Sequence, residues 1–270
     1  MNYKKISISG NGIQQEILIA LLSDIGFEGF EEADDALLAY IPEEQFSQSD
    51  LDELLSFQNV TGEVSSVEKK NWNEEWERNF QPVIVAGFCT VRADFHQIEA
   101  TTPYDIIITP KMSFGTGHHA TTQLVMDTMQ SLPFRGKAVL DFGTGTGILG
   151  ILASMLGAKA VTGIDNEDWS CENAMENATR NHIGNFEVLH GSLERVADKS
   201  FDIILANINR HILLQYMSDM YDRTKAGGTI LMSGILTEDT AIVTNAAVEV
   251  GFSLKRQQSM NNWMVLVFTK

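Results

Sequence analysis

The first 69 residues alternate between short apolar runs and polar turns, a pattern that predicts a small mixed domain. Strands are predicted over residues 3–9, 27–32, 36–41 and 60–67, and helices over 12–25 and 48–57. The apolar residues of the first helix recur at helical spacing and predict one stripe for packing on a sheet, formed by Ile13, Ile17, Ala20, Leu21 and Ile25. The order βαββαβ predicts a ferredoxin-like α+β domain over residues 1–69.

An aromatic stripe marks the segment that follows. Trp72, Trp76 and Phe80 fall four residues apart, on one face of a helix that Pro82 ends. Such a stripe is more typical of a packing surface than of a ligand site. Residues 70–104 are therefore predicted to form a linker helix and a connecting segment between two domains.

From about residue 105 the pattern changes to apolar strands that alternate with helices, as in a parallel sheet covered on both faces. Strands are predicted near residues 138–142, 160–165, 186–190, 201–206, 228–234, 252–258 and 263–269. Only polar residues around Asn261 and Asn262 separate the last two, a connection too short for a helical crossover. The final strand must therefore run antiparallel to its neighbour, in a Rossmann-like α/β domain over residues 105–270.

A glycine-rich loop joins the strand at 138–142 to an apolar helix. The run Asp141-Phe-Gly143-Thr-Gly145-Thr-Gly147 lets the backbone turn sharply and approach a ligand without side chains in the way. Asp165 ends the next strand, eighteen residues after Gly147, close to the spacing expected of a carboxylate that binds ribose hydroxyls. Together the loop and the carboxylate predict a site for a nucleoside-containing cofactor.

Two classes of cofactor fit this pattern. Gly145, Gly147 and Gly150 also satisfy the GxGxxG pattern of dinucleotide enzymes, which is weak in isolation. We favour S-adenosylmethionine because the glycines begin at Gly143, because Asp141 lies where an ammonium group could be held, and because the sheet ends in a reversed strand. No set of residues typical of hydride transfer follows the loop.

The strand at 201–206 delivers Asn207 to the edge where open α/β sheets bind ligands. An asparagine at this point can cap a turn, but its carbonyl is also a suitable acceptor to orient an amine nucleophile. We favour the second interpretation and predict Asn207 to be catalytic. Earlier in the chain, a polar loop over residues 112–122 could close over a cofactor. Its adjacent His118 and His119 lack the spacing of helical metal ligands, so no metal site is predicted.

The net charge of the chain restricts the kinds of macromolecule that it is expected to bind. The formal net charge is −17, which argues against direct binding of a nucleic-acid backbone. Residues 1–70 hold four lysines, no arginine and fourteen acidic residues, a net charge of −10. The excess of acidic residues can serve solubility alone, but it would also suit the binding of a basic macromolecular partner.

The remaining features predict a cytoplasmic protein. The longest apolar stretch, residues 148–158, is about half the length that a membrane-spanning helix needs, and the N-terminus lacks the apolar segment of a signal peptide. The two cysteines, Cys89 and Cys171, belong to no metal-ligand cluster and are predicted to be buried and reduced.

Four motifs together resemble one family. Phe114-Gly-Thr-Gly-His-His-Ala-Thr-Thr, the glycine loop from Asp141, Gly163-Ile-Asp165 and Ala206-Asn-Ile are similar to bacterial ribosomal protein L11 methyltransferases over nearly the whole chain. The resemblance implies contacts with S-adenosylmethionine from Phe114, Thr116, Thr122, Gly143, Gly145, Asp165 and Asn207. It also implies contact of adenine with the turn after the third strand, residues 190–192, and it matches Trp263 to a tryptophan of the last strand.

The resemblance implies methylation of amino groups on this basic ribosomal protein of the large subunit, at lysine side chains and also at the N-terminal amine. One departure is the run Ile208-Asn209-Arg210, where the commonest family pattern continues Ile-Leu-Ala. The alternatives are a methyltransferase for RNA or a small molecule, and a cofactor-sensing ribosome-assembly factor without enzymatic activity.

Overall fold

The computed structural model of the chain describes residues 3–8, 12–33, 36–67, 81–96, 98, 101–109, 111 and 113–270. The chain divides into two compact units, Met1–Asn79 and Phe80–Lys270. The predicted aromatic helix over residues 71–80 lies outside the described residues.

The described part of the first unit is a four-stranded antiparallel sheet with two α-helices. Its elements are β1 (Tyr3–Ile8), α1 (Gly12–Asp24), β2 (Gly29–Ala33), β3 (Ala36–Pro42), α2 (Gln48–Gln58) and β4 (Gly62–Val67), and the sheet order is β2-β3-β1-β4. The order of elements is the predicted βαββαβ. Its core contains Ile6, Ile8, Leu37, Ala39 and Ile41 from the strands and Leu18, Leu22 and Leu51 from the helices.

The apolar stripe predicted for α1 was wrong at Ile17, whereas Ile25 packs against the core as predicted. Ile17 is half exposed, whereas Leu18 and Leu22 are fully buried. The central part of this helix reads Ile-Leu-Ile-Ala-Leu-Leu, so it is apolar on nearly every side and spacing cannot identify the buried face.

The second unit contains a seven-stranded sheet covered by helices. Its strands are β8 (Ala138–Phe142), β9 (Ala160–Asp165), β10 (Phe186–His190), β11 (Phe201–Asn207), β12 (Thr224–Leu236), β13 (Ser253–Met260) and β14 (Trp263–Thr269). The helices are α3 (Ala120–Met129), α4 (Ile148–Met155), α5 (Asp168–Arg180), α6 (Arg210–Gln215), α7 (Met217–Arg223) and α8 (Thr240–Glu249). The sequence predicted every strand, although β12 begins four residues earlier than expected.

The sheet order is β10-β9-β8-β11-β12-β14-β13, and β14 runs antiparallel to both β12 and β13. The predicted reversal of the last strand is therefore confirmed. Asn261 and Asn262 both have positive φ, 48° and 65°, as a two-residue turn of the type I′ family requires. Asparagine tolerates this backbone region better than most residues do.

Alternate residues of each central strand enter cores on opposite faces of the sheet. Val139, Ile203 and Leu205 pack into one core, while Leu140 and Ile204 pack into the other. Burial on both faces explains the near-continuous apolar character of these strands. No helix among the described residues is long and apolar enough to cross a membrane.

A second, three-stranded sheet lies where the sequence predicted mainly a connecting segment. It consists of β5 (Val83–Val85), β6 (Cys89–Ala93) and β7 (Tyr104–Ile108), in the order β5-β6-β7. Its apolar residues share one core with α3 and α4. Cys89 is buried in this core, and burial raises the pKa of its thiol to about 12.

Candidate active site

The carboxyl ends of β8, β9 and β11 meet at one edge of the large sheet. Phe142 is in register with Ile164 on one side and with Ala206 on the other. The next residues along these strands are Gly143, Asp165 and Asn207, so parallel pairing brings the three together. They line a cavity of about 700 Å³, whose wall also includes Ser113, Phe114, Trp169, Gly191, Ser192, Ile208, Tyr216 and Trp263.

The glycine loop (residues 143–147) has left-handed backbone at three positions, with φ of 76° at Gly143, 53° at Gly145 and 80° at Gly147. A Cβ at Gly145 would overlap the carbonyl oxygen of Phe114. The glycines therefore admit neighbouring protein backbone as well as the close approach of a ligand.

Asp165 holds the glycine loop and the following turn with its two carboxylate oxygens. Oδ2 accepts a hydrogen bond from the Gly145 N–H at 2.8 Å, and Oδ1 accepts one from the Glu167 N–H at 3.1 Å. Each oxygen has further lone-pair sites, because an ionised carboxylate offers about four. The carboxylate can thus accept two hydroxyl protons from a ligand while it organises the loop.

Asp141 lies beneath the glycine loop and does not line the cavity. Its Oδ2 accepts hydrogen bonds from the Thr144 hydroxyl at 2.7 Å and from the Gly150 N–H at 3.0 Å. The side chain is fully buried, and burial raises the pKa of Asp141 to about 7. The position suggested by the sequence, in direct contact with a ligand ammonium, does not match this burial.

The side-chain carbonyl oxygen of Asn207 accepts no hydrogen bond from any residue that the structure describes. Its Nδ2 donates to the hydroxyl of Thr122 at 3.4 Å, which directs the amide nitrogen away from the cavity. Its Oδ1 is buried and has no hydrogen-bond partner among the described residues. Since buried acceptors in proteins are nearly always paired, this oxygen is suited to receive an N–H from a ligand.

The covering segment (residues 113–119) forms another wall of the cavity. The ring centroids of Phe114 and His119 are 5.3 Å apart, and those of His119 and Trp263 are 4.8 Å apart. Both pairs pack edge to face. His119 also caps the N-terminus of α3, because its side chain accepts a hydrogen bond from the Thr121 N–H. The described residues contain no group of three His, Cys, Asp or Glu side chains arranged to hold a metal ion.

The far end of the cavity lies beyond β9 and β10. Gly191 and Ser192, two of the three residues at which the resemblance predicts contact with adenine, line this end. The exposed His190 bonds to the backbone of Asn166 and to Asp168 instead. Trp169 also lines this end and is 50% exposed. Sequence reasoning missed Trp169, although an indole four residues after Asp165, the carboxylate predicted to bind ribose, was a usable signal.

The departure at Ile208-Asn209-Arg210 forms the start of α6. Asn209 caps this helix by accepting a hydrogen bond from the Ile212 N–H, and Arg210 pairs with Asp239. Gly234, with φ of 82°, faces this turn, and a Cβ there would overlap the Ile208 carbonyl. The altered residues thus support the turn that carries Asn207, a role that the sequence alone did not reveal.

Comparison with known proteins identifies the family. The sequence matches the family described as ribosomal protein L11 methyltransferase (PrmA) over residues 3–270. The chain belongs to this family. A protein of Porphyromonas gingivalis named ribosomal protein L11 methyltransferase is 45% identical over 261 residues, which cover 94% of this chain and 90% of the relative. A relative of the same name from Phocaeicola vulgatus is 38% identical, over 96% of this chain and 94% of its own length.

A solved structure agrees with this membership of the L11 methyltransferase family. The crystal structure of a ribosomal protein L11 methylase from Lactobacillus delbrueckii subsp. bulgaricus has a TM-score of 0.66 and 29% identity. The match covers 70% of this chain and 98% of that one. The predicted Rossmann-like methyltransferase sheet is confirmed by this similarity and by the strand order.

Most of the cofactor residues inferred from the L11 methyltransferase family come together in the structure. Phe114, Gly143, Gly145, Asp165 and Asn207 line the cavity. The other two do not line it. Thr122 is buried behind Asn207, and Thr116 bonds to His118 within the covering segment.

Proposed function

We propose that this chain transfers methyl groups from S-adenosylmethionine to amino groups of ribosomal protein L11, with lysine side chains and the N-terminal amine as acceptors. The observation that carries the proposal is the placement of Asp165 and the unpartnered Asn207 carbonyl in one cavity of a chain that belongs to this family. The substrate is a ribosomal protein, so we place the reaction in the cytoplasm.

The residues around the cavity fit the cofactor. Asp165 has unused lone pairs for the two ribose hydroxyls, and Gly191 and Ser192 leave room for adenine beside Trp169. The glycine loop, with Gly143 and Gly145, would bind the cofactor close to its backbone. When bound, S-adenosylmethionine supplies a methyl group on a positively charged sulfonium.

The chain's own contribution is to select and orient an uncharged amine. A lysine in water has a pKa of about 10.4, so most of it is protonated at neutral pH. The apolar rings of Phe114 and Trp263 line the cavity and disfavour the ammonium form of an amine that packs against them. The Asn207 Oδ1 accepts an N–H of the neutral amine and thereby aims its lone pair.

The proposal is tested with purified ribosomal protein L11, methyl-labelled S-adenosylmethionine and mass mapping of the product. We expect label on amino groups of the protein. Parallel reactions with ribosomal RNA and with a mixture of small amines distinguish the other acceptor classes, and the Asp165→Ala variant controls for contaminating activity. Cofactor binding without transfer to L11 would contradict the proposal and favour the sensing role.

A further inference from the structure

Three asparagines, two in α5 and one directly after it, face the open edge of β7. Asn173, Asn177 and Asn181 follow one another at intervals of four residues, and the first two are fully buried. β7 lies at one end of the small sheet, so one of its edges has no strand partner in the part of the chain that the structure describes. Such an edge leaves backbone N–H and C=O groups to be paired by other means.

The asparagine side chains pair this edge as a neighbouring strand would. Asn181 accepts a hydrogen bond from the Ile107 N–H at 2.9 Å and donates to the Ile107 carbonyl at 2.6 Å. Asn177 accepts from the Thr109 N–H at 2.8 Å, and Asn173 donates to the Thr109 carbonyl at 3.2 Å. Each amide has both a donor and an acceptor, which permits this substitution for backbone.

Asn177 differs from the other two because its donor leaves the strand and reaches the glycine loop. Its Nδ2 donates to the backbone carbonyl of Thr146 at 2.9 Å. Thr146 in turn holds the covering segment, since its N–H donates to the Phe114 carbonyl at 2.9 Å and its hydroxyl donates to the Gly115 carbonyl at 2.6 Å. Thr146 is fully buried, so water cannot replace these bonds.

We propose that Asn177 is a positioning residue for cofactor binding, which acts through Thr146. It connects three segments: the end of β7, the glycine loop, and the covering segment that carries Phe114. Two of these segments form walls of the cavity. The covering segment is therefore held in place before the cofactor arrives, and its register relative to the glycine loop depends on one buried amide.

This inference rests on the proposed function, because it assigns Asn177 to the binding of S-adenosylmethionine. The experiment compares Asn177→Asp with Asn181→Asp. Both variants keep the acceptor and replace a donor by an oxygen, but only the first places that oxygen against the glycine loop. Affinity for S-adenosylhomocysteine is measured by calorimetry below the unfolding temperature of each variant.

We expect Asn177→Asp to bind about tenfold more weakly than the parent, and Asn181→Asp to stay within about twofold. The loss of affinity in Asn177→Asp should be greatest at alkaline pH. The introduced carboxyl can donate to the Thr146 carbonyl when it is protonated, whereas the carboxylate form repels that carbonyl. In turnover, KM for the methyl donor should rise while kcat at saturation stays the same. Equal effects of the two variants on affinity would overturn the inference.

A second variant keeps the test decisive if Asn177→Asp does not fold. Thr146→Val removes the hydroxyl bond to Gly115 and leaves α5 untouched. It should weaken binding about tenfold by itself, which can be measured whether or not Asn177→Asp folds. Where both single variants fold, the double variant should lose less affinity than the sum of the two single effects. Additive effects, or wild-type affinity in Thr146→Val, would refute the connection. Failure of the parent chain to bind the nucleoside at all would instead overturn the proposed function.

Discussion

Replacing Asp165 with alanine should weaken cofactor binding by two separate routes. The first is the loss of two charged acceptors for the ribose hydroxyls, worth together about 3 kcal/mol, or about 150-fold in Kd. The second is the loss of loop order, because the N–H groups of Gly145 and Glu167 lose the oxygens that hold them at 2.8 and 3.1 Å. The combined loss should therefore be at least 150-fold.

Calorimetric titration with S-adenosylhomocysteine measures this loss, and Asp168→Ala is the matched control. Asp168 lies three residues further along the chain, carries the same charge, and has a side chain that is 78% exposed. It should change Kd by no more than about threefold, because an exposed charge is screened by solvent. If Asp165→Ala binds within tenfold of the parent, or if Asp168→Ala is equally damaging, direct ribose recognition by Asp165 is refuted.

Three further predictions address catalysis, stability and recognition. Asn207→Ala should lower kcat about a hundredfold with little change in peptide KM, and wild-type rates in this variant would exclude the acceptor role. Asn207→Asp should move the single-turnover rate profile to higher pH, because a carboxylate stabilises the lysine ammonium. Burial raises the pKa of Asp141 from 3.8 to about 7, so the folded state holds a proton that the unfolded chain releases, and stability should fall as pH rises from about 4 to 7. Asp141→Asn should flatten that decline by roughly 3 kcal/mol in denaturant titrations, because each pKa unit of the shift is worth about 1.4 kcal/mol, and an unchanged slope would contradict the shift. A chain shortened to begin at residue 70 should still bind the cofactor but no longer methylate L11, and full activity would remove the recognition role of the acidic segment.

The location of the site at one edge of the sheet was predictable, because parallel strands place their carboxyl ends at the same edge. Once the strands ending at Phe142, Asp165 and Asn207 are assigned, pairing alone brings their last residues together. The reversed last strand followed equally from the two residues available for its connection. These conclusions depend on backbone geometry and hold whatever the side chains contact.

What could not be predicted depends on contacts between segments distant in the chain. The small sheet of β5, β6 and β7 has strands of three to five residues, too short for a clear apolar period. The burial of Asp141 and the position of Thr122 behind Asn207 arise from packing, which spacing does not encode. The bond from Asn177 to Thr146 spans 31 residues and joins two segments with no shared pattern.

The position of β14 has a consequence for the making of the protein. This strand follows all others of its sheet along the chain, yet its neighbours are β12 and β13. While a ribosome is still synthesising β14, β13 has no strand to pair with, and β12 presents an unpaired edge that can associate with other chains. Trp263, the first residue of β14, lines the cavity. A nascent chain therefore completes its sheet and its cavity wall in one late step, so methyl transfer should begin only after β14 has left the ribosome.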